Sequence, residues 1–94
     1  MASYRLTRLA DQDLENILRF GVEQFGLQPA LTYYDRLQRR FEEIAQSPLQ
    51  YPSLSVLSGE YRRSVCGAHA IYFIIENHSV LIVRVIHQQQ FELP

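Results

Sequence analysis

The sequence predicts an α+β fold with the order β-α-α-β-β-β, in which a helical hairpin packs on one face of a small antiparallel sheet. Two segments with the apolar spacing of amphipathic helices occupy the first half of the chain, and alternating apolar stretches typical of strands fill the second half. A further short alternating stretch precedes the first helix. With 94 residues the chain has the size of one domain, residues 1–94.

The first strand and the first helix follow each other closely. Residues 3–7 alternate, with Tyr4 and Leu6 on one side, as in a short strand. A helical stripe comes next, formed by Ala10, Leu14, Ile17, Leu18, Gly21 and Phe25. Gly26 then supplies the glycine that commonly ends a helix.

The second helix is marked by its own start and stop signals. Pro29 suits the first turn of a helix, and Ser47-Pro48 suits its end. The apolar stripe between them comprises Ala30, Tyr34, Leu37, Phe41, Ile44 and Ala45. Two such helices joined by a few residues form an αα-hairpin, and residues 50–59 are expected to form a loop.

Three strands are predicted after this loop. Residues 61–66 alternate until Gly67, and residues 68–75 and 80–87 flank a four-residue turn, which indicates a β-hairpin. Strict alternation in the last strand places Val80, Ile82 and Ile86 on one side. One helical hairpin covers only one face of a sheet, so we expect Ile82 and Ile86 to be partly exposed on the other face and to mark a partner surface. The alternative is that sheet curvature and the C-terminal tail cover this face.

Composition and charge exclude several classes of protein. Nine basic residues, all Arg, stand against ten acidic ones for a net charge of −1, so the chain lacks the basic surplus typical of phosphate-driven nucleic-acid binding. The longest apolar runs fall far below the roughly 20 residues that span a bilayer, and no secretory signal is recognised. A single cysteine, Cys66, indicates a reducing, cytoplasmic setting.

Charged and titratable side chains on the predicted sheet are the candidates for chemistry. They are Arg62, Arg63, His69, Arg84 and His87. Metal-free RNA cleavage needs a general base, a general acid and fixed cations, which a histidine and an arginine can supply. The alternative is structural: Arg84 in an apolar row must reach solvent, an internal carboxylate such as Glu60, or a partner's carboxylate. The three histidines lack the close spacing of metal ligands, and no cofactor or metal site is predicted.

Several motifs in chain order carry a family resemblance. They are Leu9-Ala10, Asp13-Leu14 and Ile17, then Phe41 and Ile44 before Ser47-Pro48, then residues 59–62 (GEYR), 67–73 (GAHAIYF) and 82–87 (IVRVIH). Over nearly its whole length the chain resembles ParE-type toxins of the RelE/ParE toxin–antitoxin superfamily. The resemblance implies a helical hairpin on an antiparallel sheet.

The resemblance also implies a function and partners. Such a toxin is not an enzyme: it traps DNA gyrase with cleaved DNA, through the gyrase A subunit, and makes no sequence-specific contact with nucleic acid. A small DNA-binding antitoxin, ParD-like or of another type, neutralises it. The five charged and titratable residues above then become target-binding candidates. Antitoxin-binding candidates are Ile82, Ile86, Leu18 and Leu37.

Two alternatives remain open at the sequence level. The RelE-like branch of ribosome-dependent mRNA endonucleases shares the fold, but its members are strongly basic and use a C-terminal aromatic, whereas this chain has no Lys and no Tyr after Tyr72. The other alternative is a weakly toxic homologue that still binds antitoxin. It is suggested by Gln88-Gln89-Gln90 after His87, where many members carry a basic and then an acidic residue.

Overall fold

The chain folds into two layers, a helical hairpin and a sheet. The structure, a computed structural model, describes residues 3–54 and 60–88. Within them the elements are β1 (Tyr4–Leu6), α1 (Arg8–Phe25), α2 (Leu27–Gln46), a 3-10 turn (Pro48–Gln50), β2 (Ser53–Leu54), β3 (Tyr61–Cys66), β4 (His69–Glu76) and β5 (Ser79–His87). The predicted fold class is confirmed, and the bounds of β3 agree with the prediction.

The sheet has the strand order β1-β5-β4-β3-β2. All neighbours are antiparallel except β1 and β5, which run parallel because the helical hairpin carries the chain across the sheet between them. The sheet is therefore mixed rather than purely antiparallel. The loop predicted over residues 50–59 is wrong at Ser53 and Leu54, which pair with β3 as β2; residues 55–59 lie outside the described residues. The predicted polar tail is described only at Gln88.

Both helices turn their apolar stripes to one face of the sheet. The core consists of Ala10 and Leu14 of α1, Leu37, Phe41 and Ile44 of α2, and Cys66, Ile71, Phe73, Val80, Ile82 and Val85 of the sheet. The predicted stripe of α2 is confirmed in this core. The α1 stripe fails at its end, because Phe25 is largely exposed and the close approach of the two helices is made instead by Gly21 against Ala30.

Capping groups fix where the helices begin and end. The Thr7 hydroxyl accepts a hydrogen bond from the Ala10 N–H at 3.0 Å and donates one to the Val83 carbonyl at 2.7 Å, so it ties the start of α1 to β5. Gly26 separates α1 from α2 with φ +94°, a conformation that side chains rarely adopt. Its predicted role as a helix stop is confirmed.

A β-bulge in β5 overturns the predicted alternation. Tyr72 pairs with Arg84 but Phe73 pairs with Ile82, so Val83 is an extra residue in the ladder. Because the bulge shifts the alternation by one residue, Val80, Ile82 and Val85 all reach the helix-facing core. The expectation that Ile82 is exposed on the opposite face is also wrong: Ile82 precedes the bulge and is fully buried against the helices.

Candidate functional site

A groove of about 740 Å³ lies between the helical hairpin and the second half of β5. Its apolar wall includes Ile17, Phe20, Phe25, Ala30 and Ile86, and its polar groups include Asp13, Tyr33, His69, Arg84 and His87. The groove exists because β1 pairs only with residues 80–82 of β5, so that a helix rather than a strand flanks the residues that follow. A concave apolar wall with a few convergent polar groups is the usual form of a binding site.

Asp13 joins α1 to the groove wall of β5. Its carboxylate accepts hydrogen bonds from Arg84 Nε at 2.8 Å and Arg84 Nη2 at 3.0 Å, and from the Val85 N–H at 2.9 Å. The hydrogen bond to Asp13 raises the pKa of Arg84, so the guanidinium stays charged. Arg84 thus pairs with an internal carboxylate, which was one of the three alternatives drawn from the sequence. The carboxylate is that of Asp13 and not that of Glu60.

Tyr33 connects α2 to the turn between β3 and β4. Its hydroxyl lies 3.2 Å from the Cys66 carbonyl, 3.0 Å from the Ala68 N–H and 2.6 Å from His69 Nδ1. The Tyr33 hydroxyl has one proton and can donate it to only one acceptor. All three contacts are therefore hydrogen bonds only when Tyr33 donates to the Cys66 carbonyl and a protonated His69 Nδ1 donates to Tyr33.

The two groove histidines are partners across the sheet. His69 and His87 face each other in the β4–β5 register, and their ring centroids lie 5.5 Å apart with a T-shaped arrangement. Burial, and after it the neighbouring His87, lower the pKa of His69, while Asp13 raises it. His69 is therefore a neutral imidazole at neutral pH.

The structure brings together three of the five candidate target-binding residues. His69, Arg84 and His87 line the groove, whereas Arg62 and Arg63 lie on β3 outside it. Arg62 Nη1 donates to the Tyr51 carbonyl at 2.7 Å, and the Arg63 guanidinium lies 5.9 Å from the centre of the Tyr72 ring.

The sequence analysis missed two residues of the groove, Asp13 and Tyr33. The sequence analysis names Asp13 only within the family motif Asp13-Leu14 and not as a site residue, because its partners are more than 70 positions away in the chain. Tyr33 stands one position before Tyr34 of the α2 apolar stripe. This second tyrosine beside the stripe was the available sign of a polar group in the groove.

The candidate antitoxin-binding residues divide into two pairs. Leu37 and Ile82 are fully buried in the core and expose no side-chain surface to a partner. Leu18 and Ile86 are half-buried, and Ile86 lines the groove. The larger apolar surface is one that the sequence analysis did not single out, the hairpin tip, formed by Phe20 (60% exposed), Phe25 (70%), Leu27 (61%) and Leu31 (41%).

The described residues also limit other kinds of site. Among residues 3–54 and 60–88, no cluster of three or more His, Cys, Asp or Glu side chains is arranged to hold a metal ion. Neither helix in this part of the chain has the length and hydropathy needed to cross a membrane.

Fold and groove together define a small two-layer α+β protein with a preformed apolar binding groove. The family model described as "ParE toxin of type II toxin-antitoxin system, parDE" matches residues 4–90. Toxin ParE1 of Caulobacter vibrioides is 35% identical over 89 residues, which are 94% of this chain and 91% of that protein. The chain belongs to the ParE toxin family of type II toxin–antitoxin systems, and the predicted resemblance is confirmed.

Solved structures agree on the fold. The chromosomal ParDE toxin–antitoxin system from P. aeruginosa includes a chain with a TM-score of 0.81 and 22% identity, covering 93% of this chain and 96% of that one. The toxin–antitoxin complex RelBE2 from Mycobacterium tuberculosis gives a TM-score of 0.63 at 22% identity, covering 93% and 98%. These likenesses show that the chain shares the fold of both structures.

Proposed function

We propose that this ParE-family toxin inhibits DNA gyrase without catalysing a reaction, and that an antitoxin neutralises it by binding in the groove and over the hairpin tip. The observation that carries the proposal is the continuity of the groove with the exposed hairpin tip, in a chain that the toxin family model covers almost entirely.

The apolar surface supports a protein partner. Phe20 and Phe25 belong both to the groove wall and to the hairpin tip, so a single partner segment can bury both regions at once. A contiguous apolar patch of this kind on a small domain marks an interaction site or a tendency to self-associate. An amphipathic segment with an apolar face is the partner that such a groove fits.

The charged groups support inhibition rather than RNA cleavage. Cleavage needs a cation that is free to hold the phosphate, but Arg84 is held by Asp13, Arg62 is bonded to a backbone carbonyl, and Arg63 stacks on an aromatic ring. The chain also has no Lys and a net charge of −1. Arg62, Arg63 and Arg84 thus serve internal contacts more than an RNA backbone.

The mechanism is tested with purified gyrase. We expect the chain to inhibit supercoiling and to accumulate cleaved DNA bound to gyrase, and the cognate antitoxin to reverse both effects. Induction in cells should leave mRNA uncut. Ribosome-dependent cuts within codons, with supercoiling unaffected, would instead establish the RelE-like activity. Antitoxin binding with neither effect would identify a non-toxic homologue.

The antitoxin surface is tested separately. Phe20→Ser combined with Phe25→Ser should weaken antitoxin binding by about 100-fold or more, since two large aromatic contacts are lost at about 1.4 kcal/mol or more each. Leu49→Ser is the matched control, because Leu49 is 73% exposed and follows the opposite end of α2. Equal affinity of the double variant and the control would exclude the hairpin tip from the interface.

A further inference from the structure

The ion pair between Arg84 and Asp13 presents its two ends unequally to the groove. The side chain of Arg84 is 40% exposed and lines the groove, whereas that of Asp13 is only 13% exposed. The accessible charge is therefore positive although the pair as a whole is neutral. We propose that Arg84 binds a carboxylate side chain of the antitoxin segment that occupies the groove. This contact rests on the proposed function, antitoxin binding in the groove, and specifies the side chain that the antitoxin brings to it.

Arg84 keeps hydrogen-bond donors that its internal partner does not use. A guanidinium has five N–H donors in a planar fork, of which Asp13 accepts one from Nε and one from Nη2. Three N–H groups remain, two on Nη1 and one on Nη2, and no described residue accepts them. The end of the guanidinium formed by Nη1 and Nη2 can bind a second carboxylate through two parallel hydrogen bonds.

The apolar wall of the groove makes these remaining donors costly when a partner binds. Phe20 and Phe25 line the same groove as Arg84, so a segment that packs on both rings also takes water away from the guanidinium. A charged donor that loses its water without gaining an acceptor destabilises the complex. The partner must therefore bring an acceptor, and a carboxylate forms the strongest hydrogen bonds with this fork because both groups are charged.

The charges around Arg84 also favour an acidic partner. Asp13 is the only acidic residue among the described residues that line the groove, and both of its oxygens already accept hydrogen bonds. His69 is neutral at neutral pH. Burial raises the pKa of the Tyr33 hydroxyl and the charge of Arg36 opposes that rise, so a second cation lies beside the groove. Complementary charge on the antitoxin is thus negative at this position.

Two substitutions that break the same ion pair separate partner binding from a structural role. Calorimetric titration of the purified chain with its cognate antitoxin measures the Kd. Arg84→Gln removes the cation and should raise this Kd by about tenfold or more. Asp13→Asn keeps the cation but removes its internal counter-charge, so it should lower the Kd. Arg5→Gln is the matched control, because Arg5 pairs with Glu76 outside the groove and its loss should change the Kd by less than about twofold.

Substitutions in the antitoxin identify the carboxylate and leave this chain unchanged. Each Glu of the bound antitoxin segment is changed to Gln and each Asp to Asn, one at a time. One of these changes should weaken binding to the unaltered chain by about tenfold or more, but binding to Arg84→Gln by less than about twofold. If Arg84→Gln does not fold, Arg84→Lys replaces it, since Lys keeps the charge and lacks the planar fork.

The contact is overturned if Arg84→Gln and Asp13→Asn raise the Kd equally, or if no acidic residue of the antitoxin is coupled to Arg84. The double variant Phe20→Ser with Phe25→Ser then distinguishes the two proposals. Weakened antitoxin binding in this variant would leave the proposed function standing without the Arg84 contact. Unchanged binding would contradict the proposed use of the groove as well.

Discussion

Asp13 holds α1 to β5 through two different kinds of contact, and substitutions can separate them. The side chain of Asp13 is 13% exposed and that of Arg84 is 40% exposed. Asp13→Ala leaves the Val85 N–H without its acceptor, which costs about 1–3 kcal/mol where water has poor access. It also removes an ion pair whose arginine is well solvated, worth about 0.5–1 kcal/mol. We therefore expect Asp13→Ala to lower the free energy of unfolding by about 2–4 kcal/mol.

Asp13→Asn is the informative comparison. The amide oxygen of Asn can still accept from the Val85 N–H, while the charge that pairs with Arg84 is gone, so the expected loss is only about 0.5–1 kcal/mol. Asp11→Ala is the matched control, because Asp11 is an exposed acidic residue in the first turn of the same helix and contributes about 0.3–1 kcal/mol through the helix dipole.

Urea denaturation of the three variants measures these differences through the midpoint at constant m-value. In thermal melts, each 1 kcal/mol corresponds to about 4–8 °C in a domain of this size. If Asp13→Ala and Asp13→Asn were equally stable, the Val85 amide would not depend on Asp13 and the account of this corner of the fold would be refuted. Arg84→Gln should lower the free energy of unfolding by about as much as Asp13→Asn. The double variant Asp13→Asn with Arg84→Gln should lose less stability than the sum of the two single losses, because the two residues are coupled.

Two further predictions concern the turn between β3 and β4. Folding lowers the pKa of His69 below its ordinary 6.5, so the unfolded chain binds a proton more readily than the folded protein. The urea midpoint should therefore fall as the pH drops through and below 6.5, and it should level off below the pKa of the folded state. The dependence of the midpoint on pH should weaken in His69→Gln, and an unchanged dependence would show that another group titrates. Gly67→Ala should destabilise by about 2–4 kcal/mol, because Gly67 has φ +61° and an added Cβ would lie 2.6 Å from Tyr33 Cε1. In a Tyr33→Ala background Gly67→Ala should cost only about 1 kcal/mol, because only the strain of a side chain at positive φ remains. An equal cost in both backgrounds would show that Tyr33 does not crowd this position.

The helices and the β-hairpin could be predicted because local patterns determine them. The apolar period of α2, the glycine between the helices and the alternation of β3 are each visible within a few residues. Within the candidate site, His69, Arg84 and His87 were identified as polar residues on apolar strands. Their actual neighbours were not, since Asp13 and Tyr33 come from the helices and reach the groove only through tertiary packing.

Errors in the prediction trace largely to one backbone feature. Alternation assumes a regular ladder, but the extra residue at Val83 changes the side of the sheet on which later residues of β5 lie. Val85 therefore joins Val80 and Ile82 in the core, while Ile86 lines the groove. No local composition signals this bulge, because Val83 is a good strand residue in any register.

The bulge also explains why the groove lies where it does. At Val83, β5 leaves its pairing with β1, and the backbone groups released there are satisfied by side chains: Thr7 donates to the Val83 carbonyl and Asp13 accepts from the Val85 N–H. Both side chains belong to the start of α1, so the helix is held beside the strand but cannot fill the space that a paired strand would occupy. Further along the helix this space opens into the groove, which Phe20 and Phe25 line on one side and Ile86 and His87 on the other. The first half of β5 thus pairs on both sides, with β1 and β4, whereas its second half pairs with β4 alone and borders the groove on its other side.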